Sequence, residues 1–501
     1  MSSFTPHPFP RLLRAEWTAF MTLRGWAVAM AASVLVTVAL GLLITGGARS
    51  SCVTGKGEGP CPAPVVGPDG TAVKDKYYFV HQPLQGNGGI TARVSDMTGQ
   101  MRLPDAVPGV RNVEEGVVPW GKAGLLVRQS LKQGTPYAAV MLTGEHGVRM
   151  QHNFTHDVAG GPHNGPQWLR LARSGDTITG YESDDGKTWA EVSTVTLAGL
   201  PETVEIGLFA ASPGTVWDTA VAFAQTTATF DQIVLRGANG SWRRDDVGVV
   251  MESDGTTPHH PGQAVESGGK LIVTGGGDIG PATVEGGMRA DFTLIGGAVG
   301  LILVLVAAVS FVTAERRRGL IGTGEPDPAR RLAARAVVVG GVAFVAGLVT
   351  SGIAVPVGLA VLRAHQNPIQ PITLGTELRV IVGYAALTAA AAVLALGLAA
   401  LVKRGLVAVA LAVALVVVPN LLATAGLVPW LLMFTPAAGF AITQSVPTFA
   451  HVDVVQSMVG VYYPLPPWAG LAVTCGYAAV ALGAALAVRS GQARSCAART
   501  R

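Results

Sequence analysis

Charge is what this chain has least of. Asp, Glu, Lys and Arg make up 14% of its 501 residues, against roughly a quarter in an ordinary soluble protein. Hydrophobic residues reach 49% and the mean hydropathy is +0.41. So few charges exclude an ordinary soluble chain as the first reading and point to lipid-facing surface. The net charge of +4 is small and unevenly spread, so no nucleic-acid partner is expected. Lysine is scarce beside arginine, 8 against 28, with abundant Ala, Gly and Val, a bias of bacterial chains from GC-rich genomes. Only four cysteines are present, which excludes a disulfide-dense scaffold. No G-x-S-x-G elbow and no Walker A phosphate loop occurs anywhere, so hydrolysis of ATP by this chain is not expected.

What is there is a set of long, almost uncharged runs. A bilayer core about 30 Å thick takes roughly 20 residues of helix. Six runs qualify and predict spans at 26–46, 291–313, 336–362, 380–402, 405–427 and 468–488. Pro356 and Pro419 fall inside two of them and predict kinks, which membrane helices tolerate. The first run competes with a signal peptide, since arginines precede it and "TGGARSS" follows. Its apolar run of 19 residues favours a retained helix. Before it, residues 1–25 carry Leu13, Trp17, Phe20 and Met21 on one helical stripe beside Arg11, Arg14 and Glu16, the pattern of a helix lying along a membrane surface.

Basic residues in the short connecting segments set the expected orientation. With the N-terminus in the cytoplasm, residues 1–25, 314–335, 403–404 and 489–501 together hold fifteen Lys and Arg, including Arg316, Arg317, Arg318, Lys403 and Arg489. The opposite side holds Arg363 and Arg379 in one short loop and none in 428–467. Both termini are therefore expected inside a bacterial plasma membrane, in contact with its lipids.

Residues 47–290 read differently. Segments such as "AAVMLT", "VRMQHNF" and "VEIGLFAAS" alternate like short strands separated by turn residues, which predicts an all-β sandwich on the outer side. The expected fold is thus a six-helix membrane protein with an extracytoplasmic β-sandwich between helices 1 and 2. Cys52 and Cys61 are its only cysteines, and an oxidising outer compartment would permit a disulfide between them. Residues 71–237, from "WGKAGLLVRQSLKQG" through "PQWLRLARSGDTITGYESDDGKTW" to "ATFDQIVL", resemble the concanavalin-like, laminin-G-type sandwich of bacterial surface and carbohydrate-associated proteins. Whether 241–290 completes this sandwich or starts a second unit is open from sequence. The resemblance implies that Trp120, Trp168, Tyr181 and Trp189 are candidate glycan contacts, against the simpler role of filling the core.

Several motifs weigh less than they first promise. In "ESDDGKTW", Asp184, Gly186, Thr188 and Trp189 follow the order of an Asp-box hairpin, with Glu182 where serine is usual; a structural turn is the expected role. "GGGDIG", residues 275–280, satisfies GxGxxG but lacks the following helix of a dinucleotide site, so it reads as a turn. His146, His152, His156, His163 and Asp157 lie in strand-and-loop sequence without metal-ligand spacing, so no metal is expected. The carboxylate pairs Glu114–Glu115, Asp184–Asp185 and Asp245–Asp246 are adjacent, and adjacent strand residues face opposite ways, unlike a glycosidase pair.

The junction "SFVTAERRRGLIGTG", residues 310–324, sets one carboxylate and three arginines directly after a span. Topology and anionic headgroups account for the charges alone. The junction also resembles the cytoplasmic loop between the second and third spans of ABC-2-type transporter permeases. Glu315, Arg317, Gly319, Leu320 and Ile321 match that loop, while "RLLRAEWTAFMTLRGWAV" resembles the family's amphipathic N-terminal helix through Arg14, Glu16 and Trp17. The resemblance covers about half the chain. It implies a permease subunit of an exporter, paired with a second permease subunit and driven by a separate ATPase subunit that holds ATP and Mg. Arg14, Glu16, Trp17 and Glu315, Arg316, Arg317, Arg318, Gly319, Leu320 and Ile321 would face that ATPase. No catalytic residue, cofactor or metal is implied for this chain itself. The rival expectation is a multi-pass surface glycan-binding or sensory protein without transport.

Overall fold

The computed structural model describes the chain apart from residues 1–8, 23, 55–56, 104–111, 164, 218–219, 250, 252–256, 283–285, 318–327, 403, 426, 453–461 and 500–501. The chain divides into two compact units. One comprises Met1–Arg49, Met288–Pro447 and Gln456–Arg501; the other comprises Ser50–Gly287 with Thr448–Val455.

The first unit is helical. In chain order it holds α1 (Phe9–Thr22), α2 (Arg24–Gly47), α3 (Gly297–Arg317), α4 (Pro328–Ala364), α5 (Leu374–Val402), α6 (Gly405–Val416), α7 (Val418–Thr424), α8 (Leu431–Phe434) and α9 (Pro467–Arg499). Among the described residues five stretches are long and apolar enough to cross a membrane: Gly25–Gly47, Pro328–Ala364, Leu374–Val402, Gly405–Thr424 and Pro467–Gly491. The span expected at 291–313 differs. Its first residues, Ala290–Leu294, form a 3-10 turn in which Thr293 Oγ1 donates to Ala290 O, 2.7 Å. The helix that follows, α3, begins at Gly297 with an apolar part running to Thr313, so the turn takes the first residues of the expected span.

Small residues let these helices approach. A Cβ on Gly300 of α3 would lie 1.8 Å from Thr37 Oγ1 of α2, so only glycine fits; helices in lipid gain from such contact rather than from a hydrophobic effect. Pro356 leaves α4 unbroken, whereas Pro419 sits in the first turn of α7, where its missing N–H ends α6 at Val417. The expected loop 428–467 is more structured than a loop. It carries α8 and a 3-10 helix, Pro436–Thr443, whose eight residues are all buried. Hydrophobic and small residues throughout "PAAGFAIT" leave no polar face for water.

The second unit is a two-sheet sandwich. One sheet of seven strands runs in the order His156–Ala159, Val148–His152, Tyr137–Thr143, Lys122–Arg128, Thr203–Ala211, Tyr77–Gln85 and Arg243–Val247. The other has nine strands; its main path is Ala190–Thr196, Thr177–Ser183, Gln167–Ser174, Gly88–Leu103, Ala220–Arg236, Lys270–Gly276 and Gln263–Ser267. Every pairing in both is antiparallel. Strands from 241–290 therefore join both sheets and complete the sandwich. "GGGDIG" supplies the end of one strand and the start of the short pair Ile279–Pro281 with Val73–Asp75, with Gly277 at φ +83° between them.

Val80, Leu125, Val140, Leu169, Leu171, Leu208 and Phe230 fill the space between the sheets, and each such side chain stabilises by about 1.5–3 kcal/mol. Lys122–Arg128 and Tyr137–Thr143 are buried at every position. A second cluster, Phe79, Leu126, Met141, Phe154 and Phe209 among its members, covers the other face of their sheet. Charges under that cover are paired. Lys122 donates to Asp278 Oδ1, 2.8 Å, and Arg128 to Asp75, 3.0 Å. The buried His81 ring sits between Glu205, 2.7 Å, and Asp245, 2.8 Å.

Candidate functional site

In the helical unit the notable polar centre joins α1 to α4. Leu13, Glu16 and Phe20 lie at i, i+3 and i+7, so one face of α1 turns all three inward. Phe20 meets Phe311 edge-on, ring centroids 5.4 Å apart, and Trp26 meets Phe311 at 4.9 Å. Between them the Glu16 carboxylate accepts Arg331 Nε at 2.6 Å and Arg335 Nε at 2.9 Å, and the Arg335 guanidinium lies over Phe311, 5.6 Å away. Glu16 and Arg335 side chains are 3% and 4% exposed, Arg331 28%. One carboxylate thus bonds two arginines, with Glu16 and Arg335 buried and Arg331 reaching the surface; such buried charge-assisted bonds are strong and removal of one partner is costly.

This changes the reading of the α1 stripe. Glu16 turns inside the unit and is unavailable to a docking partner. Arg14 and Trp17 remain exposed, Trp17 by 49%. Glu315, Arg316 and Arg317 close α3, with their side chains outside the described residues; Arg318, Gly319, Leu320 and Ile321 lie outside them entirely. In the sequence, Arg331 and Arg335 stand only among the basic residues of the 314–335 segment. The one signal that marked them was arginine one turn apart at the start of an apolar helix.

A second polar centre sits at the start of α3. Asp291 accepts Ser445 Oγ at 2.5 Å and pairs with Arg289, while Arg379 at the start of α5 donates to Ile442 O, 2.9 Å, and Gln444 O, 2.7 Å. These bonds satisfy carbonyls at the end of the buried 3-10 helix. Phe311 and Asp291 lie at opposite ends of the α3 segment, so the two polar centres sit at opposite ends of the bundle.

In the sandwich, Cys52 and Cys61 form a disulfide. Trp120 is 5% exposed, stacked on His146 at 3.9 Å with Arg149 5.6 Å from its ring, so it fills the core and cannot stack on a sugar. Trp168, Tyr181 and Trp189 are half-buried on or beside the outward face of the nine-stranded sheet. Alternation puts Trp168 and Arg170 on that face, with Leu169 and Leu171 beneath. Arg170 pairs in register with Tyr181 on one side and Thr91 on the other; its guanidinium lies 3.8 Å from the Trp189 ring centroid. Arg93, bound through two bonds of 2.7 Å to Asp231, lies 6.0 Å from Trp168.

The adjoining turn uses Asp185, not Asp184, as its acid. Asp185 accepts the N–H groups of Lys187 and Thr188, each 2.8 Å, and the Thr188 hydroxyl at 3.1 Å, while Ser183 Oγ takes the Gly186 N–H. Those backbone donors hold the Asp185 carboxyl well below the usual carboxylate range. Gly186, at φ +70°, supplies the left-handed residue. The histidine-rich stretch disperses. His152 stacks on His156 at 4.5 Å, Asp157 pairs with Arg149 and Gln151, and His163 lies 3.3 Å from Thr143 O. Among the described residues no three His, Cys, Asp or Glu side chains gather as metal ligands.

No protein-family model matches the chain, and no curated protein does. Solved structures give low-scoring likenesses. The GH43 BlXynB protein from Bacillus licheniformis is 16% identical over 30% of this chain, at a TM-score of 0.20. A functionally unknown protein from Saccharomyces cerevisiae is 13% identical over 36% of this chain and 85% of its own, also at 0.20. The chain spans only 27% of the length of the Bacillus protein. At these scores neither likeness bears on fold or activity.

Proposed function

We propose that the chain is a membrane-spanning permease subunit of an ABC transporter, an exporter of a bacterial plasma membrane. In this reading both termini are cytoplasmic and a separate ATPase subunit, carrying ATP and Mg, supplies the power. A second permease subunit completes the transport path, and the β-sandwich lies outside, where it captures an envelope glycan or substrate. One observation supports this best: Glu16, on the N-terminal helix, is bonded to Arg331 and Arg335 at the start of α4. The N-terminal helix, one of the two segments that resemble the family's docking elements, is thereby tied to the start of α4, the helix that follows the other. A push on either would be felt by α4 without slack, because a buried charge pair resists separation. Arg14 and Trp17 stay exposed beside this clamp and would meet the ATPase together with Glu315–Ile321.

The test is coexpression of the full chain with the Walker-motif ATPase encoded beside it. Trp17→Asp, Arg317→Glu and Leu320→Asp should each reduce copurification while leaving membrane insertion intact. Undiminished copurification in all three removes these segments from the interface. A signalling kinase encoded beside the chain and retained by it, in place of an ATPase, favours the sensory reading. Labelling of Lys403 from the exterior reverses the proposed orientation.

A further inference from the structure

The outward face of the nine-stranded sheet presents guanidinium groups rather than bare rings. Trp189 is covered by Arg170, and the Trp168 ring lies between Arg93 and the Gly186 turn, where a Cβ at Gly186 would come within 2.7 Å of the indole. The aromatic residues therefore hold arginines in place instead of offering free platforms. Reading across the sheet, Arg170 aligns with Thr91 and Val234, and Arg236 aligns with Gly89, Ala172 and Thr179 in the next same-face row. Two strand spacings and one row separate the two arginines, about 12 Å between backbones. The small Gly89 and Ala172 leave the floor between them low.

Arg93 is neutralised by Asp231. Among the described residues no carboxylate pairs with Arg170 or Arg236; Arg170 donates only to the Thr91 hydroxyl, 3.3 Å. Partial burial first, and the Arg236 charge second, pull the Arg170 pKa below its usual value. Beside the arginines this face carries the hydroxyls of Thr91, Thr179, Tyr181 and Thr194, with Val234 in the Arg170 row; Thr194 bonds Thr179, 2.9 Å, and Glu191, 2.8 Å, a carboxylate next to Tyr181 at the far side from Arg236. Guanidinium forks favour carboxylate or other oxyanions, and a row of hydroxyls favours a hydroxylated ligand.

We propose that this face binds an acidic polysaccharide, with Arg170 and Arg236 taking anionic groups at two points along the polymer and the threonine row meeting its hydroxyls. The inference rests on the glycan-capture reading of the sandwich and narrows its ligand to charged sugars.

Full-length protein in detergent is titrated with polygalacturonate, dextran and dextran sulfate at two salt concentrations. Polygalacturonate should bind, weakening as salt rises. Arg170→Gln and Arg236→Gln should each lower its affinity about tenfold, the loss expected for one charge-assisted bond. Arg170→Lys should fall between, since the ammonium keeps the charge without the fork; circular dichroism of each variant checks the fold. Dextran binding equal to polygalacturonate, unaffected by Arg170→Gln, overturns the acidic-ligand inference and leaves glycan capture standing. No binding of any of the three overturns both. Equal binding of dextran sulfate and polygalacturonate, untouched by both glutamine variants, shows diffuse polyanion attraction and also overturns the inference.

Discussion

Glu16 and Arg335 stand 319 residues apart in sequence and share a 2.9 Å hydrogen bond inside the helical unit. The contact fixes the N-terminal helix to the foot of α4, and both bonded groups are buried. Glu16→Gln should therefore destabilise the unit by about 3–5 kcal/mol, the cost of removing one partner of a buried charge pair. Thermal unfolding in detergent reads the loss. Arg14→Gln, two residues away and on the exposed face of α1, should unfold at the wild-type temperature.

Asp185 and Asp184 are neighbours with opposite prospects. Asp185→Ala removes the acceptor for two backbone N–H groups and should lower the unfolding midpoint, whereas Asp184→Ala should leave it unchanged. The Asp185 carboxyl is held below its unfolded value of about 3.9. Its stabilisation is therefore complete above that value and disappears as pH falls through the lower folded one. An acid titration of unfolding midpoint should lose that component in Asp185→Asn.

Lys122 and Asp278 form a pair that is 1% and 6% exposed. Burial alone would raise the Asp278 carboxyl, but Lys122 and Lys74 outweigh it and bring it below the usual range. Asp278→Asn should cost about 3–5 kcal/mol, while the double replacement Lys122→Met with Asp278→Leu should recover most of it. Denaturant unfolding of Lys122→Met, Asp278→Leu and the double replacement, set against the wild type, forms the cycle. An additive double mutant would show that the two groups do not act as a pair.

His152 illustrates the opposite sign. Burial first, and the neighbouring His156 second, bring its pKa down to about 4, below the unfolded value of about 6.5. The unfolded chain then binds a proton that the folded one refuses, so stability falls as pH drops from about 6.5 to about 4 and levels off below. His152→Asn should flatten the stability profile in that window. A proton titration followed by NMR that places His152 near 6.5 would contradict this.

Much of the architecture was legible in the chain. Uncharged runs marked five of the long apolar helices, because exclusion of charge from lipid is written residue by residue. Alternating segments marked the strands for the same local reason, the two-residue period of the pleat. Helix and strand limits were less legible. Residues 428–467 contain no charge pattern or strong period, yet Pro436–Thr443 is buried whole, which depends on neighbours rather than on its own sequence. The Asp-turn was found one residue out of register, since two consecutive aspartates match one motif and only backbone geometry selects Asp185.

The candidate site was legible only in part. Trp120, Trp168 and Trp189 look alike as aromatic residues near turns, but Trp120 is closed in by His146 while Trp189 carries Arg170. Such differences arise between strands that are remote in sequence, where no local rule reaches.

What the sequence determined by itself was where the chain avoids water and where it forms a sheet, since hydropathy and periodicity act over a few residues. What the tertiary structure decided was which charges face inward. Glu16 became an internal clamp and Arg170 a half-buried cation without a carboxylate partner among the described residues, because pairing and desolvation depend on groups brought together from distant positions, and that energy is absent until the chain has folded.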